Sequence, residues 1–329
     1  MTLATLRLLT DAEVRACIDY DTALDIARRT LRDQAEGRAL LSTPSAMILD
    51  ATSIGGPKAK FKAASVGYLG ASGIRLLPHP SPSKESYNYC AVYGNEDAKL
   101  WGLVAEGWLS RVRTAAFGAV SIECLVNPGL QVVTLFGAGG IAHEMVPLIA
   151  RTLQVKELRV NSRRAESTTA FVKKHASTVR FPIRAELDGK SAVKEADVVI
   201  TLTESPSPLV FAGTLKPGAV VCSMGSYNEV DYGVMLEAER LIVDDEDFAA
   251  EMGDGAAWIS QGHLSRAQFA ARIDALACEV VAGKKKGRRT SAERVVALIQ
   301  GMAIGDVAFA AYALKQAEKL NRGSVIALP

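Results

Sequence analysis

The chain lacks the features that mark membrane-bound and nucleic-acid-binding proteins. Its formal net charge is only +2 over 329 residues, which gives no general electrostatic attraction to nucleic acid. No apolar run approaches the ~20 residues that a membrane span requires. Acidic residues occur throughout the N-terminal segment, which is untypical of a targeting sequence. We therefore expect a cytoplasmic protein with neither nucleic acid nor a membrane as its partner.

Cysteine and histidine are also scarce. The five cysteines contain no CxxC pair, which indicates neither a zinc site nor a disulfide framework and is typical of buried thiols in a reducing compartment. The histidines, His79, His143, His175 and His263, are isolated and have no partner at the spacing of metal ligands. The sequence therefore predicts no metal site.

The length of the chain predicts two domains. Thr10 and Glu13 have the spacing of a capping box ahead of a first helix, and Asp21 is a candidate cap for a second helix that extends to about Gly37. Segments of β type, separated by turn residues, then predict an antiparallel sheet. These segments are Ala59 to Tyr68, Tyr87 to Val92 and Trp101 to Ala105, and a helix from Arg111 to Leu125 follows them.

The second half of the chain has a different pattern. Val132 to Phe136 is a short, continuous apolar run, which is typical of a strand buried on both faces, and strands and helices alternate after it. The further predicted strands are Glu157 to Val160, Arg180 to Arg184, Asp197 to Thr201, Ala219 to Ser223 and Arg240 to Val243. Beyond Asp244 we predict helices, the last from Ala292 to Lys319 and returning to the first domain.

The predicted fold class is therefore α/β. It consists of a Rossmann domain with a doubly wound parallel sheet at 126–304, and an α+β domain with an antiparallel sheet for substrate binding and dimerisation at 1–125 with 305–329.

A glycine motif follows the first strand of the predicted Rossmann domain. The sequence from Gly137 to Ala142, Gly-Ala-Gly-Gly-Ile-Ala, fits G-x-G-x-x-A. In this motif Gly137 allows a tight turn, Gly139 lets the backbone approach a pyrophosphate, and free N–H groups near Ala138 and Ile141 bind phosphate oxygens. A simple tight turn is the alternative interpretation, but the strand before the motif and the helix after it favour a dinucleotide site.

The end of the second strand bears on the choice of cofactor. A carboxylate at this place would bind the ribose 2′-hydroxyl of NAD, but the sequence has Asn161, Ser162, Arg163 and Arg164. Two guanidinium groups suit a 2′-phosphate, so we predict NADP, with NAD possible. The alternative is that both arginines start a solvated helix.

Three stretches together resemble the ornithine cyclodeaminase and mu-crystallin family. They are Arg113-Thr114-Ala115-Ala116, Gly137-Ala138-Gly139, and Gly301-Met302-Ala303-Ile304-Gly305-Asp306. The resemblance extends over nearly the whole chain. It implies a homodimer that uses NAD or NADP to oxidise or reduce the α-carbon of small amino and imino acids.

The resemblance also implies roles for individual residues. Lys62 matches the active-site lysine, Arg113 the arginine that holds the substrate carboxylate, and Thr114 a cofactor phosphate contact. Gly301 matches the approach of the final helix to the nicotinamide, and together with Lys62 and Arg113 it is expected to bind the substrate. Further predicted cofactor contacts, near the ends of later strands, are Thr201, Thr203 and Gly225. An alternative for Lys62 is an exposed lysine face shared with Lys58 and Lys60.

Two departures from the family pattern affect the predicted activity. Pro44 is followed by Ser45 rather than by an arginine, for which Arg75 is a candidate substitute. Tyr227 stands where cyclodeaminases have an aspartate, and Asp231 would replace that aspartate only if its loop folded back. Without this carboxylate, loss of ammonia lacks its general acid and base, whereas hydride delivery to a preformed C=N bond needs less.

The sequence therefore favours an NAD(P)H-dependent reductase of a small ketimine carboxylate, such as pyrroline-2-carboxylate or piperideine-2-carboxylate. Two alternatives stay open. The first is an ornithine cyclodeaminase or amino-acid dehydrogenase, and the second is an NADPH-dependent ligand-binding protein of the mu-crystallin type.

Overall fold

The computed structural model describes residues 5–56, 58–79 and 88–328, with the side chain of His79 left out. Within these ranges the strands are β1 (Thr5–Leu9), β2 (Ala39–Leu41), β3 (Met47–Asp50), β4 (Lys58–Val66), β5 (Ala71–His79), β6 (Tyr89–Gly94), β7 (Leu100–Ala105), β8 (Leu130–Phe136), β9 (Gln154–Asn161), β10 (Ile183–Ala185), β11 (Val198–Thr201), β12 (Val220–Ser223), β13 (Arg240–Val243), β14 (Ala275–Leu276), β15 (Val295–Leu298) and β16 (Ser324–Ala327).

The α-helices of the described ranges are α1 (Asp11–Cys17), α2 (Tyr20–Ala35), α3 (Leu109–Glu123), α4 (Gly140–Thr152), α5 (Ala165–His175), α6 (Gly189–Val193), α7 (Tyr232–Glu237), α8 (Glu246–Glu251), α9 (Gly253–Ser260), α10 (Arg266–Arg272), α11 (Ala277–Val281) and α12 (Ala303–Lys319). None of these helices is long and apolar enough to cross a membrane.

The chain divides into two compact units. Unit 1 consists of Met1–Arg113 with Met302–Pro329, and unit 2 is Thr114–Gly301. The division falls within α3, so it lies earlier in the chain than the boundary that the sequence predicted after residue 125.

Unit 1 is built on a sheet with the strand order β16-β1-β7-β6-β5-β4-β2, and β3 pairs with β4. Its neighbours are antiparallel, as predicted, except that β1 runs parallel to β7. The long strands β4 and β5 pair along their whole length, which sets Lys62 opposite Arg75. Helix α12 packs on β4 and β5, and it is rich in alanine and almost wholly buried. This packing brings its first turn, with Asp306, to the same strands.

Unit 2 contains the predicted doubly wound sheet. All of its strands are parallel, in the order β10-β9-β8-β11-β12-β15-β13-β14. The four-residue strands β11, β12, β13 and β15 are completely buried, which is why they are almost entirely apolar. A core that includes Trp258, Phe269 and Phe136 packs against this sheet.

The predicted helix from Ala292 to Lys319 is wrong in its first part. Val295–Leu298 forms β15, which lies between β12 and β13, and α12 begins only at Ala303. Because β15 is buried on both faces, its apolar run has no strand period and cannot be told from a buried helix by pattern. Gly301, with a φ of +84°, lies in the turn between the strand and the helix.

Near the N-terminus one predicted cap is confirmed and another is wrong. Thr10 and Glu13 form the expected capping box of α1. Helix α2 is capped instead by Asp19, whose carboxylate accepts the Thr22 N–H at 2.7 Å, and it ends at Ala35. Asp21 lies in the first turn of the helix.

The cysteines are free thiols, but not all of them are buried. Cys124 is exposed and Cys17 is half-buried, whereas Cys90, Cys222 and Cys278 are buried as expected.

Candidate functional site

Five ionisable residues of unit 1 form a buried group that we call the charge cluster. Its members are Lys62, Arg75, Glu106, Arg113 and Asp306. Each is at most 5% exposed, although they come from β4, β5, the end of β7, α3 and α12. Buried charges are costly unless they are paired, so a cluster of this kind indicates a site maintained for its chemistry.

Asp306 joins the two arginines of the charge cluster. Arg113 Nε donates to Asp306 Oδ1 at 2.5 Å, and Arg75 Nη1 lies 3.5 Å from Asp306 Oδ2. Arg75 also donates through Nε to Glu106 and through Nη2 to the Ser110 hydroxyl at 2.7 Å. Both guanidinium groups are therefore held in fixed orientations.

One donor of the cluster is left over. Arg113 Nη1 is buried and has no hydrogen-bond partner among the described residues. An unsatisfied buried N–H of a charged group is expensive, so a ligand with an acceptor oxygen would be stabilised there.

Lys62 carries an ammonium group in an environment that disfavours charge. Burial lowers its pKa well below the usual value, and the neighbouring Arg113 and Arg75 lower it further, whereas Asp306 partly offsets them. On the same strand Lys58 is exposed, and the half-buried Lys60 has a pKa lowered to about 8 by burial and by Arg75. Lys62 is thus not part of an exposed lysine face, and that interpretation is wrong.

The charge cluster has more positive than negative groups. Three basic residues face two acids, and burial raises the pKa of one of these acids, Glu106, to about 7 although Arg75 opposes the rise. The cluster is therefore suited to an anionic group such as a carboxylate.

Arg75, the candidate substitute for the family arginine that is missing after Pro44, is part of this cluster, but its hydrogen bonds go to protein groups. Ser45, which replaces the expected arginine, lies between β2 and β3.

In unit 2 the glycine motif forms a turn between β8 and α4. Gly137 has a φ of +116°, and a Cβ there would lie 2.6 Å from the Leu202 carbonyl oxygen, so only glycine fits. Gly139 is the N-cap of α4 and offers no side-chain cap, while a Cβ on it would meet nothing within 4 Å. The first turn of α4, with Ala138 before it and Ile141 within it, thus has no side-chain cap and has room beside Gly139, which fits a dinucleotide pyrophosphate.

The side chains at the end of β9 divide into two pairs. Asn161 Nδ2 donates to the Glu186 carbonyl at 2.6 Å, and the Ser162 hydroxyl lies 2.8 Å from that of Thr168, so both are used within unit 2. Arg163 and Arg164 are exposed. Of the four predicted contacts, only the two arginines keep their side chains turned to solvent.

A carboxylate that the sequence interpretation missed joins the loops after β11 and β12. Glu229 accepts hydrogen bonds from the N–H and the hydroxyl of Thr203, at 2.6 and 2.5 Å, and from the Gly225 N–H at 2.9 Å. Thr201, at the end of β11, is completely buried. The signal in the sequence is an acid two residues after Tyr227, whereas the family pattern points to Asp231.

Asp231 cannot replace that aspartate in this structure. Its carboxylate caps α7 by accepting the Gly233 N–H at 2.9 Å, and Tyr227 is 53% exposed.

The two remaining residues that match the family pattern, Gly301 and Thr114, have different environments. Gly301 donates its N–H to Asp244 Oδ2 at 2.7 Å, in a turn rather than in the final helix, and Thr114 is buried in α3.

Two of the histidines are not isolated. His143 Nδ1 and His175 Nε2 lie 2.8 Å apart, and the His143 ring stacks on Phe171. This contact joins α4 to α5. The sequence does not predict it because the two histidines are 32 residues apart. Across the described ranges no group of three potential ligands could hold a metal ion.

The sequence of this chain is similar to those of other proteins, in one case over 98% of its length. A protein of Sinorhizobium fredii named as an uncharacterized cyclodeaminase is 28% identical over 98% of this chain and 99% of its own length. The Δ1-pyrroline-2-carboxylate reductase of Bacillus cereus is 25% identical over 68% of this chain and 69% of its own length. The structure of the Δ1-pyrroline-2-carboxylate reductase of Thermococcus litoralis, in complex with NADH and L-proline, matches with a TM-score of 0.88. At 18% identity over 97% of this chain and 99% of that one, it shows a common fold.

The fold and these relatives define the class of the protein, which is an NAD(P)-dependent oxidoreductase acting on C–N bonds. Residues 100–321 match the model of the ornithine cyclodeaminase/mu-crystallin family, and the chain belongs to that family.

Proposed function

We propose that the protein is an NADPH-dependent reductase of a small ketimine carboxylate, such as pyrroline-2-carboxylate or piperideine-2-carboxylate, and that it acts in the cytoplasm. The observation that carries the proposal is the buried, unpartnered Nη1 of Arg113 within a cluster of excess positive charge. A carboxylate placed on this group would satisfy it and neutralise the cluster.

Arg113 and Lys62 would hold the substrate carboxylate and so fix the neighbouring C=N carbon. Asp306 orients the Arg113 guanidinium through Nε, which leaves Nη1 for the substrate. A group positioned in this way contributes by orientation as well as by charge. When bound, the nicotinamide cofactor supplies the hydride.

Lys62 would also supply the proton for the imine nitrogen. Because burial and the two arginines lower its pKa, Lys62 gives up a proton more readily than an exposed lysine does. An acid whose pKa lies nearer to the working pH transfers protons more efficiently.

The cofactor would be held by unit 2, whose first residue is Thr114. The turn from Gly137 to Ile141 would take the pyrophosphate. Thr201 at the end of β11, and the loops containing Thr203 and Gly225, would contact the nicotinamide half. Gly301 would support the same half from the turn after β15.

We propose NADP rather than NAD as the preferred cofactor because Arg163 and Arg164 are exposed and no acid side chain ends β9. NADPH should bind at least about tenfold tighter than NADH, which is about 1.4 kcal/mol. Fluorescence titration of both cofactors measures this difference. Replacing both arginines with alanine should abolish it, and equal affinities in the unchanged protein would show that the arginines do not reach a 2′-phosphate.

We further propose that the protein is a homodimer formed through unit 1. Strand β3 exposes Met47, Ile48 and Leu49, each more than half exposed, and Leu40 on β2 is 58% exposed. Apolar side chains on edge strands are commonly covered by a second copy. Light scattering at micromolar concentration should give a dimer, and Ile48→Asp should shift it toward the monomer; a monomeric unchanged protein would contradict the proposal.

The test of the proposed reaction is an assay of NADPH oxidation with a panel of cyclic and linear ketimine carboxylates, alongside ammonia release from ornithine. The reductase assignment requires turnover of at least one ketimine and no ammonia release. Ammonia release would instead favour a cyclodeaminase, and tight ligand binding without turnover would favour a binding protein.

A further inference from the structure

We infer that Glu229 is a positioning residue for the nicotinamide half of the cofactor site, because its carboxylate ties together the loops that follow β11 and β12. This inference rests on the proposed use of a nicotinamide dinucleotide. It concerns a residue that the sequence interpretation did not include.

The contacts of Glu229 connect two separate parts of the chain. One carboxylate oxygen accepts from the backbone N–H and the hydroxyl of Thr203, and the other accepts from the Gly225 N–H. The residue is completely buried. A Cβ at position 225 would overlap the carboxylate, so glycine is needed for this close approach.

The backbone that carries Glu229 is itself fixed. Asp254 Oδ1 accepts from the N–H groups of Glu229 and Val230, at 2.6 and 2.9 Å. The indole N–H of Trp258 donates to the Val230 carbonyl at 2.9 Å. Helix α9 therefore fixes the backbone that carries the Glu229 carboxylate.

The strand order assigns these loops to one half of a dinucleotide. The glycine turn follows β8, and the residues suited to the adenosine ribose phosphate follow β9, which lies on one side of β8. Strands β11 and β12 lie on the other side of β8, and ligands of such sheets bind at the carboxyl ends of the strands. Thr203 and Gly225 thus belong to the side that receives the nicotinamide.

The chemistry of the contact requires an acid. Glu229 meets three donor groups, and an ionised carboxylate has acceptor atoms only, so it satisfies all of them. A glutamine would turn an NH2 group toward either the Thr203 or the Gly225 N–H. Glu229→Gln should therefore keep the volume of the side chain but separate the two loops.

The experiment compares Glu229→Gln with Glu237→Gln by isothermal titration of two probes. Glu237, the last residue of α7, is a matched control. Its carboxylate also accepts a backbone N–H, that of Gly213, at 2.9 Å. The probes are NADPH and 2′,5′-ADP, which has the adenosine half without the nicotinamide. We expect Glu229→Gln to lower the affinity for NADPH by about tenfold or more, while 2′,5′-ADP binds as in the unchanged protein. Glu237→Gln should change neither affinity.

Two results would overturn the inference. An equal loss of affinity for both probes would mean general destabilisation of the protein. Unchanged affinity for both probes would mean that the loops are held in place without Glu229. If the unchanged protein binds no nicotinamide dinucleotide, the proposed function fails together with the inference, whereas a failure of the inference alone leaves that binding intact. Should Glu229→Gln not fold, Thr203→Ala removes one of the three bonds and should give the same selective loss with a smaller amplitude.

Discussion

The two units bury charged side chains in different ways. In unit 1, Arg75 and Arg113 are paired with the carboxylates of Glu106 and Asp306, and one guanidinium nitrogen remains without a partner among the described residues. In unit 2, buried carboxylates accept mainly from backbone N–H groups, as Asp254 Oδ1 does from Glu229 and Val230.

This difference indicates what each set of charges does. Ion pairs with a surplus of one sign leave charge available for a ligand, and so the charge cluster of unit 1 would bind and polarise a substrate. Carboxylates that accept mainly from backbone N–H groups fix the path of the chain, and those of unit 2 would shape a cofactor site. Substitutions in unit 1 should therefore change turnover, and those in unit 2 should change cofactor affinity.

The largest effect is expected at Arg113. Arg113→Ala should lower kcat/KM by roughly two to three orders of magnitude, about 3–4 kcal/mol, because it removes a positioned charge-assisted contact. Arg113→Lys keeps the charge but loses the planar fork, and should also be costly. NADPH affinity should change little. Steady-state kinetics and NADPH titration check this, with Arg38→Ala, an exposed ion-pair arginine of the same unit, as the control. Near-normal turnover in Arg113→Ala would remove the charge cluster from the active site.

A smaller loss, about a hundredfold or less in kcat, is expected for Lys62→Ala. The lowered pKa of Lys62 means that its ammonium form is lost at lower pH than in a free lysine. If this form donates the proton, kcat of the unchanged protein falls as pH rises through that pKa, and the variant loses this limb of the profile. Lys58→Ala, on the exposed part of β4, should keep the profile. An unaltered pH profile in Lys62→Ala would exclude its role in proton transfer.

Two glycines of unit 2 should separate folding from cofactor binding. Gly139→Ala should fold normally, because its Cβ meets nothing within 4 Å. It should nevertheless lower the affinity for NADPH by about tenfold, because the added methyl group occupies space for the phosphates. Gly137→Ala combines a positive φ with overlap at the Leu202 carbonyl, and should lower the thermal stability as well. If Gly139→Ala binds NADPH normally, the turn does not hold the pyrophosphate.

A further effect concerns the dependence of stability on pH. Burial raises the pKa of Glu106 to about 7 in unit 1 and that of Asp254 to about 7 in unit 2. The folded state then binds more protons than the unfolded state between about pH 4 and 7, so these groups make stability fall as pH rises, by at most about 1.4 kcal/mol per pH unit each. Glu106→Gln should remove its part of this slope in denaturant unfolding measured from pH 5 to 8. A slope identical to that of the unchanged protein would show that Glu106 is ionised throughout.

The sequence was sufficient for features with a local or periodic signal. The capping box at Thr10, the buried strand β8 and the glycine turn all depend on neighbouring residues, and they are present in the structure. Strand β15 was missed because its two buried faces give it no period, and only its pairing with β12 and β13 defines it.

The charge cluster required information on strand register. Arg113 and Lys62 were selected through the family resemblance, but the burial of Lys62 depends on its pairing with Arg75 and on the packing of α12. Glu106 is far from its arginine in sequence, and the position of Glu229 between two loops follows from the order of the strands in the sheet. Such contacts between distant residues have no pattern in a single sequence.

The central claim is that hydride passes to the carbon beside a carboxylate held by unit 1. The direct measurement is the reduction of the best ketimine of the panel with NADPH that carries deuterium at both hydrogen positions of nicotinamide C4, followed by mass spectrometry and NMR of the amino-acid product. The proposed function predicts a product with one deuterium at its α-carbon. A product without deuterium at that carbon, or label found only in the cofactor, would contradict it.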